Sequence, residues 1–300
     1  MDRDLLIHLP TVLTVARRGG FASAASELGI SPSAVSHAVK TVEQRVGVQL
    51  FARTTRNVAL TEAGRQFVET TAPALKSLSD SLDLLRADQG RVAGLLRLNV
   101  PRVALPLCIT PVLPEMARRY PDLRVEVYSD DGFANIVTDG FDAGVRLGHA
   151  IAQDMVAIRL TPPIPIVIVG TPSYLAARGT PKDLSDLQRH NCVTYRMPTG
   201  GGVYRWDLQD KGSELAIETP GSVMINDFIY ARDLALAHLG LVYIFKPLVA
   251  EDLAAGRLVE VLPKNGIEED GLFLYFPQRA QQTPKLRAFI ETARTLLPGI

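Results

Sequence analysis

Apolar residues recur along the first fifty positions at the spacing of a helical face. Leu9, Val12, Leu13 and Ala16 share one side of a helix. Pro10 places its start nearby, since a missing N–H is harmless only in a first turn, and Gly19-Gly20 stop it. Phe21 to Leu28 reads as a short alanine-rich helix closed by Gly29. Ser31 and Pro32 then suit the cap and first position of a third helix, running to about Val46 and ending at Gly47. Val35, Val39, Val42 and Val46 form its buried stripe, leaving Ser33, Ser36, His37 and Lys40 facing away. Phe51 to Thr61 predicts two short strands around a polar turn that carries Arg53 and Arg56.

The rhythm changes after Thr61, a candidate cap. From Glu62 to Gln89, Phe67, Thr71/Ala72, Leu75, Leu78, Leu82 and Leu85 recur at intervals of three, four and seven. That is a long amphipathic helix with a near-heptad seam, bent or weakened at Pro73. Such a seam cannot be buried on a 60-residue domain, so its expected partner is a second copy of itself. From Leu95 short β runs alternate with helical stretches. Strands are expected at 95–100, 123–128, 141–147, 155–160, 164–170, 192–196, 241–245 and 272–276, and helices near 106–119, 133–139, 227–239 and 283–297. Alternation predicts an open, mostly parallel α/β sheet. Pro162-Pro163-Ile164-Pro165 suggests a stiff crossover between two lobes: 95–162 plus 268–300, and 163–267.

Composition narrows the class. Hydrophobic residues make up 47% and charged residues 21%, enough for a real core. The longest apolar stretches fall short of a membrane span. The acidic start MDRDLLIHLP lacks the features of a secretory signal, so a cytoplasmic protein is expected. Cys108 and Cys192 are the only cysteines, too few for a disulfide framework. Lys+Arg and Asp+Glu balance at 32 each, yet residues 1–66 carry eight basic against five acidic side chains, whereas 90–300 carry 22 against 23. A modest positive excess therefore sits on the N-terminal segment alone.

A short alanine-rich helix, a tight turn and a helix with small polar outward residues make a helix-turn-helix. Ser hydroxyls of the third helix can reach bases or phosphates, and His37 and Lys40 can reach base edges or backbone. Wing arginines can enter the minor groove or pair with phosphate. On pattern alone an alanine/serine-rich helical hairpin with solvated loop arginines stays open. Pairing two copies along the linker would present two recognition helices to a two-fold-related operator.

The run AASELGISPSAVSHAVKTVEQRVGVQLFARTTRNVALTEAG, about forty contiguous positions closing on Leu60–Gly64, resembles the winged helix-turn-helix of LysR-type transcriptional regulators. The resemblance implies that Ser31, Pro32, Ser33, Ser36, His37 and Lys40 serve the recognition helix, with Arg53 and Arg56 on the wing. Many relatives carry Arg where His37 stands, and an imidazole has a shorter reach and no bidentate fork. The resemblance also implies an antiparallel linker pair over 62–89 after a 1–61 DNA-binding domain, a hinge at 90–94, and a homodimer or homotetramer. It continues more loosely through PVLPEMARRYPDLRVEV, FDAGVRLG, LGLVYIF and LYFPQRAQQTPKLRAFIE, implying a two-lobed sensor of periplasmic-binding-protein type. The expected partners are double-stranded DNA with an interrupted palindrome, a small-molecule effector, and RNA polymerase if the protein activates.

Ligands of such α/β folds bind beyond the carboxyl ends of strands, between the lobes. Pro101, Arg102 and Val103 follow the first strand and lead into a helix, Arg146 and Arg196 end later strands, and Asn226-Asp227 open a helix. Arginines beside helix N-termini point to a carboxylate-bearing effector, although structural salt bridges would use the same residues. Enzymatic alternatives find little purchase. Gly200-Gly201-Gly202 lacks the lysine and spacing of a phosphate loop, and no G-x-S-x-G accompanies the serines. His190 and Cys192 are too few for a metal site, so no cofactor is expected. Trp206 and Tyr204 are expected to pack in the second lobe. The competing reading is a small-molecule-binding or catalytic α/β protein whose N-terminal helices mediate association alone, which leaves Ser33, Ser36, Arg53 and Arg56 without a reason to cluster.

Overall fold

A computed structural model describes residues 3–53, 58–87, 91–132, 136–152, 154–198 and 200–297. The chain opens with α1 (Arg3–Arg18), α2 (Phe21–Leu28) and α3 (Pro32–Val46). Val12, Val15, Ala24, Ala25, Val35, Val39, Val42, Leu50 and Phe51 form their shared core. Helix α1 begins before Pro10, not at it. Pro10 sits on the exposed side of that helix, so burial of Leu9 and Val12 on the other side carries the helix through. Ser31 caps α3 by accepting from Ala34 N at 3.2 Å, and Gly29 and Gly47 close α2 and α3 in the left-handed conformation at φ 65° and 75°. Strands β1 (Phe51–Arg53) and β2 (Val58–Leu60) pair antiparallel with Ala52 opposite Ala59, giving the expected wing hairpin.

Helix α4 (Glu62–Ala87) is 26 residues long with Pro73 inside it. Thr61 caps it: its Oγ1 accepts from Gly64 N at 2.9 Å and donates to Gln49 O at 2.7 Å. A Cβ on Gly64 would stand 2.0 Å from the Leu50 carbonyl oxygen, so glycine is required where α4 meets the wing. The two sides of α4 differ from each other. Leu78, Leu82 and Leu85 are exposed at 61%, 51% and 63%. The other side carries Lys76, Asp80 and Asp83, which meet Asp142 and Lys285 of the following domain. Lys285 Nζ lies 3.2 Å from Asp142 and 3.6 Å from each of Asp80 and Asp83, Lys76 pairs with Asp142, and Asp142 also accepts from Arg97 N at 2.8 Å. Burial alone would lower the Lys285 ammonium, but Asp142, Asp80 and Asp83 outweigh it and hold it above the ordinary lysine range.

The first lobe is a five-stranded sheet. Strands β3 (Gly94–Val100), β4 (Leu123–Ser129) and β5 (Ala143–Leu147) are parallel, with β3 central. Between β3 and β4 lies a π-helical turn over Leu105–Ile109 and a separate helix, α5 (Leu113–Arg119), where one continuous helix was expected. The helix expected near 133–139 is a turn over 136–140, and residues 133–135 lie outside the described residues. Strand β6 (Met155–Arg159) ends this run, and the chain passes into a second lobe at β7 (Ile164–Gly170).

That lobe contains α6 (Pro172–Arg178), β8 (Thr194–Arg196), β9 (Val203–Tyr204), β10 (Trp206–Asp210), β11 (Ser213–Ile217), β12 (Met224–Ile225), α7 (Phe228–Leu236), β13 (Val242–Phe245), α8 (Ala250–Ala254), β14 (Val259–Val261) and β15 (Ile267–Glu269). The chain then returns as β16 (Leu272–Pro277), between β5 and β6, and ends on α9 (Pro284–Leu296). Contrary to expectation, the sheets are not mostly parallel. Strand β7 pairs antiparallel with β13, β14 and β15, and β16 pairs antiparallel with β5 and β6. A returning strand runs opposite to its neighbours when the connection comes from the other lobe, and strand–helix alternation does not reveal that direction. Trp206 is 1% exposed and stacks on Tyr243 with ring centroids 5.5 Å apart, a packing role as expected.

Asp252 on α8 anchors the second lobe. Its fully buried carboxylate accepts from Arg232 Nε at 2.5 Å and Arg257 Nε at 2.7 Å. The Arg232 hydrogen bond, aided by Arg257 and opposed by burial, holds the carboxyl below the usual carboxylate range. A lowered folded value contributes stability above the unfolded value, and that stability is lost as pH falls through the folded one. Urea midpoints measured between pH 6 and pH 2 should therefore fall more steeply for the wild type than for Asp252→Asn. Parallel slopes would show that this pair adds nothing.

Candidate functional site

The sequence-selected residues of α3 and its cap lie together on the side away from the core. Ser31, Pro32, Ser33, His37 and Lys40 are exposed and Ser36 is half-buried, while the valines behind them are sealed. The Ser31 and Ser33 hydroxyls lie 2.8 Å apart, and Thr41 Oγ1 donates to His37 O at 2.9 Å. The His37 ring meets His8 edge-on at a centroid distance of 6.2 Å, so α1 supports that imidazole. Arg53 ends β1, and Arg56 lies outside the described residues. Other cations of this domain are engaged elsewhere: Arg17 and Arg18 with Glu27, and Arg65 with Glu62. Glu43 is a positioning residue that sequence reasoning missed. Its Oε1 accepts from Leu50 N at 2.8 Å and Phe51 N at 3.2 Å, fixing the wing against α3. The fold thus sets a cationic, hydroxyl-rich helix edge beside a two-stranded hairpin, the geometry that enters a DNA major groove with a flanking strand pair.

Between the lobes, the segments after β3 and β4 meet, and the first of them reaches the start of α7. Arg102 Nε lies 3.1 Å from Asp227 Oδ2, joining first lobe to second. Asp227 also caps α7, accepting from Ile229 N at 2.9 Å and Tyr230 N at 3.4 Å. The Arg102 backbone N–H is taken by Asp131 Oδ1 at 2.8 Å. Burial raises the Asp131 carboxyl above the ordinary carboxylate range, and Asp227 adds to that despite the Arg102 N–H and the two arginines. Arg146 is 5% exposed. It donates to Val145 O at 2.7 Å, Asn99 Oδ1 at 2.7 Å and Gly132 O at 2.6 Å. Burial lowers its guanidinium, only partly offset by Tyr275, Asp130 and Asp131.

The remaining sequence-selected residues are placed differently. Val103 is buried in the first-lobe core, Pro101 accepts from Ala104 N in a turn at 3.0 Å, and Asn226 is exposed beside Asp227. Arg196 is exposed and donates to Gly201 O at 2.7 Å, so it closes the β8–β9 hairpin, and the glycine run is that hairpin's turn. Its neighbour Tyr195 is the residue that reaches the cleft. It stacks on Phe228 at 4.2 Å, and its hydroxyl is raised by burial and by Asp131 and Asp227. Asp131, Tyr195, Asn99 and Tyr275 were all missed. The Asp-Asp-Gly turn following a strand was a usable signal for Asp131. His190 pairs with Tyr174 Oη at 3.2 Å, while the Cys192 thiol is buried and pushed up to about 12, so neither is poised as a ligand or nucleophile.

A helix-turn-helix head, a long helix and a two-lobed sensor define a ligand-responsive transcription factor. Residues 6–65 match the bacterial regulatory helix-turn-helix of the lysR family and residues 89–298 match the LysR substrate-binding domain; the chain belongs to the LysR-type transcriptional regulators, which are not enzymes. It is similar to the HTH-type transcriptional regulator YcaN of Escherichia coli K12, 37% identical over 95% of this chain and 93% of that protein. It is also similar to PgrR of the same organism, 32% identical over 97% of each chain. Among solved structures, CrgA of Neisseria meningitidis aligns with a TM-score of 0.62 at 25% identity, covering 99% of each chain. The Vibrio cholerae virulence activator AphB aligns at 0.61 and 20% identity, covering 97% of this chain and 99% of that one, a likeness of fold alone. Members of this family bind DNA and small-molecule effectors. Among the described residues no helix is long and apolar enough to cross a membrane.

Proposed function

We propose that this protein is a cytoplasmic regulator that binds an interrupted-palindrome operator as a dimer or a pair of dimers. A small carboxylate-bearing effector held between the lobes changes how it sits there. The observation that carries the DNA half is the outward edge of α3, where exposed Ser33, His37 and Lys40 and half-buried Ser36 line a capped helix beside the β1–β2 hairpin; Arg53 and Arg56 are assigned to that wing by the family resemblance. Residues 1–61 act as the reading head, 62–89 as the dimerising linker, 90–94 as the hinge, and 95–162 plus 268–300 and 163–267 as the two lobes. Ligand closure of the lobes alters the spacing of the heads, and RNA polymerase contact follows if the protein activates.

Selection of bound genomic fragments by the purified protein, with footprinting of the best site at two salt concentrations, tests the reading. A protected two-fold site is the expected result, and salt-sensitive retention of every fragment alike would overturn it. On that site, Lys40→Ala should weaken all sequences similarly and flatten the salt slope by about 1. His37→Ala should cost about 1–3 kcal/mol, concentrated at one base position.

A further inference from the structure

Among the described residues the interlobe cleft holds one buried guanidinium, Arg146, and one carboxylate, Asp131, that have no side-chain counter-ion within ion-pair distance. Arg146 is a buried cation whose described hydrogen bonds all go to neutral acceptors: a carbonyl of its own strand, the Gly132 carbonyl and the Asn99 amide oxygen. Among the described residues no carboxylate stands within ion-pair distance of it, and Asp130 and Asp131 act on it only from farther away. Beside it, Asn99 is fully buried and its Nδ2 has no hydrogen-bond partner. A buried guanidinium and a buried amide N–H aimed at nothing are a costly pair. Tyr275, on the same face of the sheet, closes over Gly144, where a Cβ would stand 2.6 Å from its hydroxyl oxygen. This floor offers donors to an anion.

The opposite requirement lies a few residues away. Asp131 receives the Arg102 N–H but no side-chain cation within 4 Å among the described residues, and the same Arg102 reaches the second carboxylate, Asp227, of the other lobe. Arg102 serves Asp227 from an exposed position, where it is weakly held. An effector that carried only a carboxylate would satisfy the floor and bring a third negative charge against these two acids.

We infer that the cleft takes a zwitterion of the amino-acid type, its carboxylate on Arg146 and Asn99 and its ammonium between Asp131 and Asp227. This rests on reading the cleft as the effector site, and narrows it. Both unmatched groups would then be paired by one ligand spanning the two lobes, so binding and closure become the same event.

The test is calorimetry and thermal shift on the full-length protein with each of the twenty standard amino acids, followed by the matched hydroxy acid and amine of any that binds. The expected result is saturable binding of one or a few amino acids. Each truncated analogue should be weaker by roughly 10- to 100-fold, the loss of one charged hydrogen-bonded contact. Asp131→Asn keeps the acceptor for the Arg102 N–H and should erase the preference for amino acid over hydroxy acid. Substituting Arg146 itself risks the fold, so Asn99→Asp is the second variant. It gives the guanidinium an internal counter-ion, and should raise the melting temperature by a few degrees, on the order of 2–4 °C, while abolishing ligand binding.

Failure to bind any amino acid at millimolar concentration overturns the proposal, as does a lowered melting temperature in Asn99→Asp. Equal binding of hydroxy acid and amino acid by the wild type, lost in Asn99→Asp, overturns the zwitterion and leaves the cleft as a carboxylate site. An amino acid bound equally by wild type and both variants places its site elsewhere and overturns the cleft reading as well.

Discussion

Replacing Leu78 and Leu82 by glutamate is expected to leave a folded monomer that has lost most of its hold on the operator. These side chains are 61% and 51% exposed on one side of α4, whereas Lys76, Asp80 and Asp83 on the other side are consumed by the first lobe. Among the described residues nothing of its own chain covers the apolar side. Burying a leucine contributes about 1.5–3 kcal/mol, so four leucines across a symmetric pair contribute on the order of 6 kcal/mol or more. Sedimentation velocity should show the change in mass with unaltered circular dichroism. Operator affinity should drop by about two orders of magnitude or more, since each half-site is then bound separately. A dimer that survives both substitutions would mean that another surface joins the copies.

Asp142→Ala should be the most damaging single change to stability outside the apolar core. The carboxylate sits against Lys285 and Lys76 and also receives the Arg97 N–H. Its removal leaves ammonium groups buried against less charge than they need, at a cost of about 3–5 kcal/mol, a fall in melting temperature of roughly 6–20 °C. Asp142→Asn keeps an acceptor for the Arg97 N–H and should fall between the two in a thermal melt. A loss below about 1 kcal/mol would class this cluster with ordinary surface pairs.

The contrast between these two faces shows what the sequence could convey. The leucine seam was legible because it repeats. The acidic and basic residues opposite it carried no signal of their own, and only the approach of α9 and Asp142 makes them interior. The head was readable almost residue by residue, because caps, terminating glycines and a valine stripe are local signals. Pro10 misled because a local rule was overridden by packing on the far side of its helix. Beyond Leu95, β7 and β16 were found in place, but their antiparallel neighbours come from distant segments and no local pattern encodes them. The cleft was half legible: Arg102, Arg146 and Asp227 were selected as ends of elements. Arg196 was selected by the same rule and faces outward, because alternation along β8 turns Tyr195 inward instead. Asn99 carried no signal, since its meaning depends on a guanidinium 47 residues away.

The glycine at position 64 has a mechanical consequence. With Gly64 pressed on the Leu50 carbonyl and Thr61 tied to Gln49 and Gly64, the reading head cannot swivel on the start of α4. At its other end the same helix is held by Lys285 and Asp142. A helix of 26 residues spans about 39 Å at the usual rise. It is a lever welded to its load, and tilting it by about 5° at the lobe end carries the head roughly 3 Å by the geometry of that length. That displacement is comparable to one base-pair step along a duplex, about 3.4 Å, so the length of this helix sets how far a small tilt at the lobes carries the head.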